Sequence, residues 1–205
     1  MDTKTRIITG ADALFKRRGI RSVTMDDIAR ELGMSKKTLY QYFSNKADIV
    51  HAVTEQHFDE ELQMCKEIMA NAKDPIAAMV NILKASHKAF QEIPPAMIYD
   101  TRKYYPQSWQ LFEEFKMGFV RQAILQNLQD GVEAGLYRDD MDLKVVAKLR
   151  VESIDIPFDP DRFPPHKYDV RVVHIEQFKL FLHGLATVEG KKRIYQYLNQ
   201  PDNDE

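Results

Sequence analysis

Between Thr24 and Phe43 two short helical patterns meet across Gly33-Met34-Ser35, and this juncture constrains the fold more than any other part of the 205 residues. Upstream of it Met25, Ile28, Ala29 and Leu32 share one helical face. That segment opens at Thr24, with Asp27 three residues later in a near capping-box arrangement. Gly33 permits a sharp turn, and Ser35 can cap a new helix running from Lys36 to Phe43. An earlier stripe (Ile7, Ile8, Ala11, Leu14, Phe15) ends at Gly19, a residue suited to a left-handed C-cap. The intervening Lys16-Arg17-Arg18 suits the negative end of a helix dipole as well as it suits a DNA contact. Helix, glycine-containing turn and short helix have the spacing of a helix-turn-helix.

The rest of the chain also reads as helix after helix. It has only eight glycines, and prolines stand at apparent boundaries: Pro75, Pro94-Pro95, Pro106, and four between Pro157 and Pro165. Alternating runs of period two are hard to find, and no internal repeat or low-complexity tract is present. A hydrophobic fraction of 44% excludes a largely disordered chain. The single Cys65 excludes an intramolecular disulfide and a cysteine-based zinc framework. No apolar run approaches the ~18 residues of a membrane span, and the start lacks a signal peptide's apolar stretch. The expected compartment is therefore the cytoplasm. The polar tail after Leu198 is expected to fray.

Charge is unevenly shared. The first 50 residues hold ten Lys/Arg against six Asp/Glu, although the whole chain carries −2. A basic head on an acidic body places the polyanion contact in the head. With Leu39 and Phe43 anchoring the third helix, Lys36, Lys37, Tyr40 and Gln41 are left for a major groove or its flanking phosphates. Lysine bonds guanine edges or phosphates, glutamine pairs with adenine, and tyrosine hydroxyls bond phosphate oxygens. The backbone N–H groups at the Ser35 end offer a further anion site.

The stretch from Thr24 to Val50, with Gly-x-Ser at 33–35, Leu-Tyr-x-Tyr-Phe at 39–43 and Asn45-Lys46, resembles the N-terminal signature of the TetR family of transcriptional regulators. The resemblance covers about a quarter of the chain. It implies a three-helix DNA-binding head and a larger all-helical part that dimerises and takes a small effector. It also implies roles: Thr24 at a phosphate, Ser35 to Thr38 in the major groove, Tyr40 and Tyr42 at phosphate or base methyls, and Lys46 on the DNA backbone. Packing against the first helix remains an equal alternative for Tyr42.

From about Asn45 the pattern lengthens into one helix to Asn71, marked by Ile49, Val50, Val53, Phe58, Leu62, Cys65, Ile68 and Met69. In the family such a helix links head and effector domain, and its tilt sets the separation of the two recognition helices. Two half-sites on one duplex require about 34 Å. The expected domains are 1–46 for DNA and 47–200 for effector and dimer. The middle of the chain is rich in aromatic residues, and Trp109, Phe112, Phe115 and Phe119 recur at helical spacing after Pro106. Such a stripe packs a core or lines an apolar cavity; the cavity reading adds His87, Tyr99 and Tyr104 and takes a hydrophobic or planar effector. Two later helices, carrying Val146, Leu149, Phe178, Phe181, Leu182 and Leu185, are expected to form a four-helix dimer interface.

Other chemistry is thin. The six histidines show no metal-ligand spacing, and neither a phosphate loop nor a nucleophile elbow is present. No catalytic residue, metal or cofactor is expected. The sequence reads as an all-α, homodimeric, effector-responsive regulator, most often a repressor in the resembling family, on a palindromic duplex operator and away from membranes. Two alternatives stay open: an effector-independent architectural or partner-binding factor with the same head, and, remotely, a small helical enzyme.

Overall fold

The computed structural model describes residues 2–199, the side chain of Phe90 excepted. Among them the regular structure is helical: α1 Thr3–Arg18, α2 Met25–Glu31, α3 Lys36–Tyr42, α4 Lys46–Asn71, α5 Pro75–Glu92, α6 Pro95–Tyr104, α7 Pro106–Phe115, α8 Arg121–Glu133, α9 Leu143–Ser153, α10 Val170–Leu185 and α11 Val188–Leu198. A π turn, Lys116–Val120, joins α7 to α8, and a 3-10 turn, Ile156–Phe158, follows α9. Of the tail expected to fray, Gln200–Glu205 lie outside the described residues.

The caps explain where the first helices begin and end. Asp2 accepts from the Thr5 N–H at 2.9 Å, and α1 stops at Gly19, whose φ of 78° only glycine adopts cheaply. Thr24 and Asp27 cap α2 reciprocally, the N–H of each received by the other's side chain. Gly33, at φ 61°, turns the chain, and Ser35 accepts from the Thr38 N–H at 3.0 Å to start α3. Asn45 and Asp48 repeat the device at the start of α4: Asn45 accepts from the Asp48 N–H and Asp48 from the Ser44 N–H, both at 3.0 Å.

The described chain resolves into two compact units. The first comprises residues 1–61 and 90–115, the second 62–89 and 116–205. The division follows contacts and therefore differs from the functional boundary expected at 46/47, because α4 runs unbroken past that point and its first half shares the head's core.

In the first unit Ile7, Leu14, Phe15, Ile28, Leu39, Phe43, Ile49 and Val53 bury together, with Met97 of α6 added. Gly10 allows the close approach of α2, since a Cβ there would stand 2.3 Å from the Leu32 side chain. In the second unit the core runs through Val80, Leu83, Leu128, Tyr137, Val151, Phe178, Leu182, Leu185 and Ile194. The Tyr137 hydroxyl donates to Asn127 at 3.1 Å, and Asn127 donates to the Pro75 carbonyl at 2.8 Å, so these two buried side chains find partners.

Candidate nucleic-acid interface and effector residues

α3 is held by its buried side and offers the other. Leu39 is fully buried and Phe43 nearly so, while Lys36, Lys37, Tyr40 and Gln41 stand on the surface, Tyr40 with 51% of its area exposed. Tyr42 is also exposed, at 44%, which leaves its ring available rather than packed away against α1. Thr38 is half-buried, and its hydroxyl lies 2.8 Å from that of Ser35.

The charges on this face differ in availability. Lys36 donates to Asp26 of α2 at 2.6 Å, an exposed pair. Lys37 makes no ion pair among the described residues. Thr24 donates its hydroxyl hydrogen to Asp27 at 2.6 Å. That bond and the Asp27 contact with the Thr24 N–H hold the carboxyl below its ordinary pKa. The N–H groups at the Ser35 end are partly used internally, since the Ser35 hydroxyl accepts one of them.

The Lys46 ammonium is turned onto its own chain. It donates to the carbonyls of Ile20 at 3.0 Å, Arg21 at 3.3 Å and Val23 at 2.8 Å. Three donors meet three acceptors, and the group's valence is spent on the loop between α1 and α2. Its partial burial lowers its pKa, against the attraction of the buried Asp100. Lys46, expected at the DNA backbone, here braces the head from within. A second brace, unforeseen in the sequence, joins α1 to α4 through Asp12. Its carboxylate meets Lys16 at 2.9 Å and His57 at 3.2 Å, and those two partners outweigh burial and hold the carboxyl below its ordinary pKa.

The seven candidate effector residues fall into both units: Tyr99, Tyr104, Trp109, Phe112 and Phe115 in the first, His87 and Phe119 in the second. Within the first, Phe112 and Phe115 lie 6.0 and 5.4 Å from the Phe58 ring of α4, and Trp109 lies 4.6 Å from Phe112. These four aromatic side chains form one cluster. Tyr104 departs from the cavity reading: it is 42% exposed, with the Arg21 guanidinium 4.7 Å from its ring. Tyr99 accepts from Lys103 at 2.9 Å. Phe119 falls inside the π turn, so the helical spacing that joined it to Trp109, Phe112 and Phe115 is broken by a wider turn.

Of the six dimer candidates, Phe178, Leu182 and Leu185 are corrected. They lie in the core of the second unit at 3% exposure or less, because the inward face of α10 packs there. Phe181 and Val146 are half-buried, and Leu149 is 65% exposed. Sequence reasoning passed over Val172 and Leu180, which α10 exposes; α9 exposes Val145 along with Leu149. Among the described residues no group of His, Cys, Asp and Glu could hold a metal ion, and no helix is long and apolar enough to cross a membrane.

Comparison with known proteins bears on the head most directly. A sequence profile described as "Bacterial regulatory proteins, tetR family" matches residues 7–53, the span of α1 to α3 and the start of α4. The HTH-type transcriptional regulator YvaF of Bacillus subtilis is 32% identical over 117 residues, which cover 54% of this chain and 58% of the relative. The chain thus spans little more than half the length of that relative. The HTH-type transcriptional repressor KstR2 of Rhodococcus jostii is 27% identical over 188 residues, 90% of this chain and 91% of the relative. Among solved structures, the transcriptional regulator FadR of Bacillus subtilis in complex with stearoyl-CoA superposes with a TM-score of 0.64 at 16% identity, covering 88% of this chain and 98% of that one. At that identity the likeness is one of fold.

Proposed function

This chain belongs to the TetR family of bacterial regulators, and from that premise we propose that it is a sequence-specific DNA-binding repressor released from its operator by a small, largely hydrophobic effector. The observation that carries the reading is the outward face of α3, where Lys36, Lys37, Tyr40 and Gln41 stand clear of an anchored Leu39 and Phe43. A short helix fixed from behind and cationic in front is what a major groove accepts. Thr24, Ser35, Thr38 and Tyr42 complete the DNA face; Lys46 supports it from inside.

We assign residues 1–46 to DNA binding and 47–200 to effector binding and dimerisation. The operator is a palindrome read by a homodimer through the exposed apolar side of α9 and α10, and the protein acts in the cytoplasm without chemistry of its own. The aromatic cluster around Trp109 supports an apolar effector, as does FadR, a protein of the same fold whose structure holds stearoyl-CoA.

Selection of bound sequences from a random duplex pool by the purified protein tests this. The expected result is an inverted repeat with half-site centres about one helical turn apart. Enrichment of no sequence, or the same enrichment by a Lys36→Ala, Lys37→Ala, Tyr40→Ala triple variant, overturns the reading.

A further inference from the structure

Among the described residues of the second unit two cations, Lys116 and Arg150, are buried, and only Lys116 has a carboxylate there. Lys116, 3% exposed in the π turn, pairs with Asp155 at 3.1 Å. Arg150 of α9 is 4% exposed and meets no carboxylate among the described residues. Its Nη1 donates only to neutral groups, the Gln177 amide oxygen at 3.3 Å and the Ser153 hydroxyl at 3.4 Å. Its Nε is buried without a hydrogen-bond partner, and its Nη2 makes no hydrogen bond among the described residues. The guanidinium carbon sits 4.7 Å from the Phe178 ring centre and 5.5 Å from that of Phe181. The buried His174 ring lies 6.2 Å from the same Phe178. Desolvation lowers the Arg150 pKa to about 10, so the group still carries its charge at neutral pH.

A buried charge that lacks a counter-charge is costly to keep, and proteins retain one where something else completes it. The edge left without an acceptor here, Nε with Nη2, is the edge that grips a carboxylate with two parallel hydrogen bonds. The surrounding Phe178 and Phe181 are apolar. From these observations we infer that the effector is an organic anion, an apolar body carrying a carboxylate-like group, and that Arg150 receives the anionic end. The inference rests on the effector-responsive reading above and deepens it. Phe178 and Phe181 lie against the guanidinium, and His174 stays neutral near it, so the two do not compete for the anion.

Matched pairs of neutral and acidic probes test the assignment on the full-length protein: dodecanoate against dodecanol, and 2-naphthoate against 2-naphthamide. Binding is read by the shift in Tm and by release of the selected operator duplex. Wild type is expected to bind an acid at least tenfold more tightly than its neutral partner. Arg150→Met is expected to lose that preference while keeping the neutral partner's affinity. Arg150→Lys, which keeps the charge but not the fork, retains a reduced preference and serves if the methionine variant does not fold. Equal binding of acid and neutral probes, or an acid preference that survives Arg150→Met, overturns the assignment and leaves an effector-responsive protein standing. If no probe of either kind binds or releases the duplex, both readings fall together.

Discussion

The Lys46 ammonium lies 2.8 Å from the carbonyl oxygen of Val23, and two more carbonyls of the same loop complete its donors. The loop it holds runs from the end of α1 to Thr24, the residue that starts α2. A lysine at the start of α4 thereby helps set the position of α2.

Lys46→Met should therefore weaken operator binding without changing its salt dependence. Leaving the three carbonyls without their charged donor costs about 1–3 kcal/mol, which should appear as a lower Tm and roughly tenfold weaker binding. A phosphate-contacting lysine would instead lower the slope of log K against log salt by about 1. The slope in a salt titration decides between them: an unchanged slope is expected here, and a loss of one would return Lys46 to the DNA face.

Lys36 and Lys37 are adjacent, yet among the described residues only Lys36 carries an ion-pair partner, Asp26. Both partners of that pair are well exposed, so the pair contributes little to stability. Asp26→Asn should leave Tm within about a degree and tighten DNA binding several-fold, since Lys36 no longer has to leave a carboxylate. Lys37→Ala and Lys36→Ala should each weaken binding, by roughly tenfold or more, and lower the salt slope by about 1. Weaker binding on Asp26→Asn would mean that Asp26 aims Lys36 rather than restraining it.

The parts of this architecture that were legible in sequence are local ones. Thr24 with Asp27, Gly33, Ser35 and the Leu39–Phe43 spacing act within one helical turn, so their meaning survives without coordinates. The role of Lys46 was not legible, because its acceptors are 23–26 residues away and nothing in the Asn45-Lys46 motif points to them. Phe119 was misread for another reason: a spacing of three and four assumes an unbroken α-helix, and the π turn inserts a wider one. Phe178 and Leu149 both looked apolar and interfacial; only the packing of α10 in the core separates the buried one from the exposed one. Arg150 was passed over because an arginine in a helix ordinarily reads as a solvated charge.

His174 predicts an acid-sensitive fold. Burial first, and then the charges of Arg150 and His87, bring its pKa from 6.5 down to about 4. The imidazole is neutral in the fold and protonates more readily once unfolded, so its contribution is intact above about pH 6.5 and is lost as pH falls toward 4. The loss amounts to about 3 kcal/mol, visible as a falling Tm across that window. His174→Gln should flatten this part of the Tm–pH curve. An unchanged curve would assign the acid sensitivity to other groups.

Leu149 and Phe178 separate assembly from folding. Leu149 is 65% exposed on α9, in line with exposed Val145, and α10 exposes Val172 and Leu180. A face of this kind is seldom left to water and marks an interaction surface. Phe178, by contrast, is 3% exposed in the core of its own subunit. Leu149→Glu, placing a carboxylate in the proposed interface, should yield a monomer by light scattering at micromolar concentration while Tm-independent measures of helix content stay at wild-type levels. Phe178→Ala should cost about 3–5 kcal/mol of stability, a Tm lower by roughly 10 °C, yet sediment as the wild-type species below its transition. A dimer that survives Leu149→Glu together with Leu180→Glu would move the interface off α9 and α10, and a Phe178→Ala protein that dissociates without losing stability would put that residue back into it.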